Sequence, residues 1–152
     1  MSNIIAVSNR ILPMKDTAIE KVTMLSKIVA EQPQTEIPTT HIIHGGMYSR
    51  TIFMKAGTII TGALIKVPTI LIFQGCVVVY IDDKPIKLEG YNVFAASAHR
   101  KQAIVAITDV NMTMIFPTEA DNVLAAEKEF TDEYELLLSH IQDLNTIIIT
   151  GE

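Results

Sequence analysis

Residues 48–116 read YSRTIFMKAGTIITGALIKVPTILIFQGCVVVYIDDKPIKLEGYNVFAASAHRKQAIVAITDVNMTMIF. The stretch is rich in Ile, Val, Thr and Phe, whose branched or aromatic side chains favour extended backbone, and turn residues interrupt it every few positions. Short strands at this spacing, with no long helical pattern between them, are typical of an antiparallel sandwich or barrel and not of a doubly wound parallel sheet. The predicted strands are 48–54, 58–66, 69–73, 76–82, 85–88, 91–95, 102–109 and 111–116.

The segment before this β region has a helical pattern. Residues 17–32 form the predicted N-terminal helix, which Pro33 ends. Thr17 and Glu20 have the spacing of a capping box, in which each side chain binds a free backbone N–H of the first turn. Apolar residues then recur every three or four positions and predict one buried stripe. This stripe consists of Ile19, Val22, Leu25, Ile28 and Val29.

The segment after the β region also has a helical pattern. Residues 119–145 form a predicted C-terminal helical segment, which includes a short helix near 119–129 and a longer helix capped by Thr131. The apolar face of the longer helix consists of Tyr134, Leu137, Leu138, Ile141 and Leu144, and His140 is expected in solvent. Residues 146–150 form a predicted terminal strand.

The chain has the composition of one compact domain. Its 152 residues are 49% apolar and 19% charged, which excludes intrinsic disorder and suffices for a single hydrophobic core. We therefore predict one mainly β domain over residues 1–152. The net charge of −5 argues against nucleic-acid binding, which requires clusters of basic side chains. Residues 118–152 carry nine acids and one base, so this end forms either a solvated acidic face or a surface for a basic partner.

The glycines of the β region resemble the frame of the cupin superfamily. Gly57 and Gly75 correspond to the ends of the first cupin motif, and Gly90 corresponds to the start of the second. The order of several short motifs further resembles the small cupin-like proteins of bacteriophages and prophages, over roughly residues 17–140. The resemblance implies a jelly-roll-like antiparallel β-barrel with both helical segments outside it. The matching motifs are Pro33-Gln34, His41, Gly46-x-Tyr48-x-Arg50 and Ala56-Gly57-Thr58.

The same resemblance implies that the metal ligands of cupin enzymes have been lost. The positions of the His-x-His pair are occupied by Ala63 and Ile65, the position of the carboxylate by Pro68, and the position of the second-motif histidine by Lys101. Aliphatic side chains do not bind metal ions, and a lysine must first lose a proton. We therefore expect no metal, no cofactor and no enzymatic activity.

Four side chains remain as candidates for binding a ligand. Tyr48 and Arg50 lie two apart and share one face of a predicted strand, where an inward arginine would bind an anionic group. The alternative for Arg50 is a structural ion pair with an acid such as Asp109 or Glu89. His99 and Lys101 are also two apart and could share a face, although an exposed turn is the alternative for His99.

The other histidines and the cysteine give weaker signals. His41 and His44 are three apart, so an extended backbone points them to opposite faces and a joint metal site is not expected. Cys76 is the only cysteine, which excludes a disulfide within the chain, and its apolar neighbours predict a core thiol and not a nucleophile.

The preferred functional hypothesis is a non-enzymatic accessory protein of a phage or prophage. It would act through protein–protein binding or assembly, as a virion component or as a binder of a host factor. One alternative is a barrel that binds a small molecule through Tyr48, Arg50 and Lys101, and a polar, roomy interior would favour it. The remaining alternative is a metal-dependent cupin enzyme with rearranged ligands.

The expected location is the cytoplasm of the host bacterium or the virion. The N-terminal sequence MSNIIAVSNR lacks the pattern of a secretory signal peptide. The longest apolar run, residues 76–81, is much shorter than the roughly 20 residues that span a membrane as a helix. We therefore expect neither a membrane nor a nucleic acid among the partners.

The terminal strand predicts self-association. Ile147, Ile148 and Ile149 form an uncharged segment of high β-propensity, which is prone to aggregate when left uncovered. It can pair with an edge of its own sheet or with a second copy of the chain. We predict a homodimer or larger symmetric homo-oligomer with these three residues in its interface.

Overall fold

The computed structural model describes residues 9–137 and 143–152. The described chain is mainly β, with two sheets and two α-helices. The strands, in chain order, are β1 Arg10–Ile11, β2 Thr39–His44, β3 Met47–Met54, β4 Ile59–Thr61, β5 Thr69–Gln74, β6 Val77–Ile81, β7 Lys84–Leu88, β8 Tyr91–Ala96, β9 Ala103–Ala106, β10 Val110–Pro117 and β11 Asn145–Ile149.

The larger sheet has seven strands in the order β1-β8-β5-β10-β3-β2-β11, and the smaller sheet has four in the order β4-β9-β6-β7. All neighbours are antiparallel except the two outermost pairs of the larger sheet, β1 with β8 and β11 with β2, which are parallel. Alternate side chains of both sheets point into one shared hydrophobic core. The prediction of a mainly β, jelly-roll-like fold is confirmed, although the two sheets face each other without joining into a closed barrel.

Most predicted strands are present. Six of the eight have ends within one residue of those predicted. The predicted strand 58–66 is wrong beyond Thr61, because the next backbone N–H groups have other partners. The N–H of Leu64 donates to the Glu133 carboxylate and that of Lys66 to the carbonyl of Phe130. The predicted strand 102–109 ends early, at Ala106, where the chain turns towards β10.

The N-terminal helix α1 spans Asp16–Ala30. The predicted capping box is wrong: the cap residue is Lys15 and no side chain caps the helix. The predicted buried stripe is also wrong in part, because Ala18 and Val22 are buried whereas Leu25 and Ile28 are exposed. The helix therefore buries only a narrow face at its N-terminal half, formed by Ala18 and Val22, with Ile19 partly buried beside them.

The second helix, α2, spans Val123–Phe130 and confirms the short helix expected near 119–129. Its cap is Asn122, whose side-chain oxygen accepts a hydrogen bond from the N–H of Ala125. The predicted longer helix capped by Thr131 is wrong in its described part. Thr131 is the buried C-terminal cap of α2, and only the 3-10 turn Tyr134–Leu136 follows. The predicted positions Leu138, His140 and Ile141 lie outside the described residues.

The terminal strand was predicted at 146–150 and is found as β11. It pairs with β2 of its own chain, which is one of the two alternatives that the sequence left open. Ile147, Ile148 and Ile149 nevertheless remain 54%, 46% and 47% exposed, because β11 is the outermost strand and, among the described residues, has a neighbouring strand on one side only. No helix within residues 9–137 and 143–152 is long and apolar enough to span a membrane.

Candidate functional site

A cavity of about 760 Å³ lies between the two sheets and opens beside α1. This volume is within the range of small-molecule sites, roughly 300–1,000 Å³. Its apolar wall comes from inward side chains of both sheets and of α2. These include Ile52, Leu71, Met112 and Met114 of the larger sheet, Ile60 and Ile104 of the smaller sheet, and Phe130.

Arg50 contributes charge to the wall of this cavity. Its Nη1 donates to Oε2 of Glu127 at 3.0 Å, and its guanidinium lies 5.8 Å from the centre of the Phe130 ring. The side chains of Arg50 and Glu127 are 11% and 2% exposed. The pair therefore joins β3 to α2 in a setting that solvent screens little.

Lys101 contributes a second charge. Its Nζ lies 3.0 Å from Oε2 and 3.2 Å from Oε1 of Glu133, and Oε1 also accepts the N–H of Leu64 at 2.6 Å. The Lys101 side chain is buried and Glu133 is half-buried. Glu133 thus neutralises Lys101 and fixes the chain where β4 ends.

Arg100 is the third cation of the wall, and sequence reasoning missed it. It is 1% exposed, and burial lowers the pKa of its guanidinium to about 10. Nη1 donates to the carbonyl of Ser97 and Nη2 to Oγ1 of Thr69, both at 2.6 Å. Within the described part of the chain, the Arg100 Nε has no hydrogen-bond partner, and neither has the buried Nε2 of Gln102, which also lines the cavity.

Tyr48 was predicted as a ligand-binding residue, but the structure places it outside the cavity wall. It is fully buried and packs against the rings of Phe116 and Phe130. Its hydroxyl lies 2.7 Å from Nδ1 of His41, whose Nε2 lies 2.7 Å from Oδ1 of Asn145. The amide oxygen can only accept, so Nε2–H donates to it, and in the neutral imidazole the Tyr48 hydroxyl then donates to Nδ1. Tyr48 therefore connects β3 to β2 and β11.

His99 also lies away from the cavity. Its half-exposed ring places Nε2 2.8 Å from Oδ1 of Asp16, the first residue of α1. His44 is exposed at the surface, with Nδ1 2.7 Å from Oγ1 of Thr150. Since His41 is buried, the expectation that His41 and His44 point to opposite faces is confirmed. Cys76 is half-buried rather than fully in the core.

The residues at the cupin ligand positions do not fit a metal ion. Ala63 and Ile65 line the cavity with aliphatic groups, Pro68 is exposed, and the Lys101 amine is bound to Glu133. In the part of the chain that the structure describes, no group of three or more His, Cys, Asp or Glu side chains is placed to hold a metal. The interior offers hydrogen-bond donors and cations instead.

No family model matches the chain, and neither does any curated protein. Among solved structures, the chain is similar to a cupin superfamily protein from Desulfitobacterium hafniense, at 20% identity and a TM-score of 0.48 over 59% of this chain and 84% of that one. It is also similar to a salicylate 1,2-dioxygenase from Pseudoaminobacter salicylatoxidans, at 17% identity and a TM-score of 0.46 over 66% of this chain and 30% of that one. The chain therefore has cupin proteins among its structural neighbours, and likenesses of this degree carry no information about its activity.

Proposed function

We propose that the protein is a non-enzymatic binding protein that holds a small molecule between its two sheets. The observation that carries this proposal is the cavity of about 760 Å³, whose apolar wall contains a few buried polar side chains. An apolar wall supplies affinity, and a few fixed donors orient the bound molecule. Of the sequence-predicted binding residues, Arg50 and Lys101 support the proposal, since both line the cavity.

Binding of a neutral fluorescent probe tests this function. N-phenyl-1-naphthylamine (NPN), which gains fluorescence in apolar sites, should bind the wild-type protein with saturation. Met112 is a half-buried wall residue on β10, so Met112→Trp should fill part of the cavity and weaken NPN binding at least about tenfold. The matched control is Ile70→Trp on β5, where the side chain is half exposed and does not line the cavity. Equal NPN binding by both variants would refute the proposal.

A second candidate function is the accessory role in a phage or prophage, exercised through protein–protein contacts. The observation in its favour is the exposed edge strand β11 with its three isoleucines. An uncovered edge of this kind is a template for pairing with another chain. Copurification with phage particles or with one host protein, lost on Ile148→Lys, would support this role, and a protein that remains alone in both settings would contradict it.

A further inference from the structure

The charges around the cavity do not balance within the described residues. Two of its buried or nearly buried cations, Arg50 and Lys101, have carboxylate partners, Glu127 and Glu133. The described partners of the third, Arg100, are all neutral: a carbonyl, a hydroxyl and, at 3.9 Å, the sulfur of Met114. The interior therefore carries one positive charge more than its described carboxylates neutralise.

An unpaired buried cation is unfavourable unless something compensates it. A charged group loses its hydration in the protein interior, and only a counter-charge and satisfied hydrogen bonds offset that loss. Among residues 9–137 and 143–152, Arg100 has no carboxylate partner, and its Nε donor has no hydrogen-bond acceptor. The Gln102 amide, two residues further on, adds a second buried donor that no described residue accepts. Two unused donors and one unused positive charge thus occur in adjacent parts of the same wall.

We infer that the ligand of this cavity is an amphipathic anion, in which one carboxylate or similar acidic group neutralises Arg100 and an apolar body contacts the aliphatic wall. The inference rests on the proposed function and adds the chemical class of the ligand. A neutral ligand would satisfy the free donors but leave the charge of Arg100 uncompensated. A cationic ligand is excluded because the cavity already carries one excess positive charge. A dianion would bring more negative charge than Arg100 can neutralise.

The apolar wall defines the other half of the ligand. Ile52, Leu71, Ile104 and Met112 converge on the cavity from both sheets, and none of them offers a hydrogen bond. A strongly polar anion such as inorganic phosphate or a sugar acid would leave its other polar groups unsatisfied there. Charged groups at the opening, Lys27 and Glu135, are exposed and of opposite sign, so the opening favours neither charge.

A matched pair of probes tests the charge preference. The anionic probe 1-anilinonaphthalene-8-sulfonate (ANS) has the ring system of NPN with one added sulfonate. We expect Arg100→Met to weaken ANS binding at least about tenfold and to leave NPN binding within about twofold, because only the charged hydrogen bonds are removed. The control is Lys87→Met, which removes the same charge from an exposed side chain on β7 and should leave the ratio of the two affinities unchanged.

The outcomes separate this inference from the proposed function. If Arg100→Met leaves the ratio of ANS to NPN affinity as in the wild type, the inference fails while the cavity remains a binding site. If neither probe binds the wild type in a way that Met112→Trp weakens, the proposed function fails, and the inference fails with it. Should Arg100→Met not fold, the Arg100 Nε–H resonance of the wild-type protein decides the question. ANS should shift this resonance and NPN should not, and equal shifts would overturn the inference.

Discussion

Gly75 occupies the tight turn between β5 and β6. Its φ is +125°, and a Cβ at this position would lie 2.5 Å from the carbonyl oxygen of Asp109 and 3.2 Å from Cα of Val110. A side chain here is therefore opposed by the backbone conformation and by main-chain atoms that do not move easily.

We expect Gly75→Ala to lower the free energy of unfolding by about 3 kcal/mol, the upper end of the range for a strained backbone position, because the collision adds to the strain. Urea denaturation of both proteins measures the difference. Gly57→Ala is the control, since Gly57 has φ +87° but no atom within 4 Å of the added Cβ. Gly57→Ala should lower the free energy of unfolding only by the cost of a positive φ in a residue with a Cβ, about 1–2 kcal/mol. Equal losses would show that the contact with Asp109 is unimportant.

Tyr48 provides a residue-scale prediction about pH. Burial raises the pKa of its phenol above 10, and the nearby Arg50 opposes this only in part. In the unfolded chain the phenol ionises near its ordinary pKa of 10, so above that pH the unfolded state loses a proton that the folded state keeps. The contribution of Tyr48 to stability is therefore complete below about pH 10 and declines as the pH rises further.

Absorbance of phenolate at 295 nm checks this behaviour. We expect the phenol of Tyr48 to ionise at a higher pH in the folded protein than in the unfolded chain, because burial raises its pKa. Tyr48→Phe should remove this delayed ionisation. Ionisation of Tyr48 at the same pH in both states would contradict the burial of its phenol.

The candidate site was predictable from sequence only in part, residue by residue. Arg50 was found because it lies in a Tyr-x-Arg motif, and Lys101 because it occupies the position of the second cupin-motif histidine. Both residues line the cavity. Arg100 was missed because it lies in a non-strand segment, where alternation of faces does not tell which side chain points inward. Its neighbour Lys101 faces the same cavity. The partners Glu127 and Glu133 were missed for a related reason, since distant segments of the chain bring them to the wall.

At the scale of elements, the ion pair of Arg50 and Glu127 holds α2 against the larger sheet. We expect Glu127→Gln to lower the free energy of unfolding by about 3 kcal/mol, because it keeps the shape of the side chain but leaves the buried Arg50 charge without its partner. Adding Arg50→Met should recover part of the loss.

The control for this pair is Asp132→Asn, which breaks the exposed contact with Lys66. Exposed ion pairs contribute little to stability, so Asp132→Asn should change the free energy of unfolding by no more than about 1 kcal/mol. Thermal or urea unfolding of the four proteins measures these values. A loss for Glu127→Gln as small as that for Asp132→Asn would mean that packing of α2, and not this charge pair, holds the helix in place.

Element by element, the strands followed from sequence more closely than the helices. Strands in this chain alternate buried and exposed side chains or are rich in β-branched residues, and clear turns separate them. One such turn is Asp82-Asp83, where both residues adopt positive φ. Strand β2 and its hairpin with β3 were not predicted, although the turn between them is Gly45-Gly46, a glycine pair typical of two-residue turns, and both glycines adopt positive φ. Helix α1 was less predictable because some of its large aliphatic residues lie on the exposed side. The spacing of its apolar residues therefore predicted a helix correctly but did not identify which face is buried.

At the scale of the whole molecule, the exposed edge of β11 leads to a prediction about assembly. We expect a homodimer in which β11 strands of two copies pair, since this would cover the three isoleucines and supply partners for the free edge. Light scattering should give twice the chain mass for the intact protein and a smaller mass for Ile148→Lys.

The matched control is Met24→Lys on α1, which introduces the same charge at another exposed apolar side chain. A second test is a chain that ends at Asn145, since this residue keeps its hydrogen bond to His41 while the isoleucines are removed. A monomeric intact protein would refute the dimer. A dimer that persists in both altered chains would place its interface elsewhere.

The position of β11 has a further consequence, for the dynamics of the sheet. Of the strands that the structure describes, β11 pairs with β2 alone, from a point more than a hundred residues away along the chain, whereas β10 is hydrogen-bonded on both sides, to β3 and β5. Detachment of β11 breaks one ladder and leaves every other strand pair intact. In a monomer the amide hydrogens of β11 should therefore exchange with solvent through local opening, while those of β10 await global unfolding. A partner strand bound to β11 would abolish this difference, so hydrogen exchange would report occupation of the edge amide by amide.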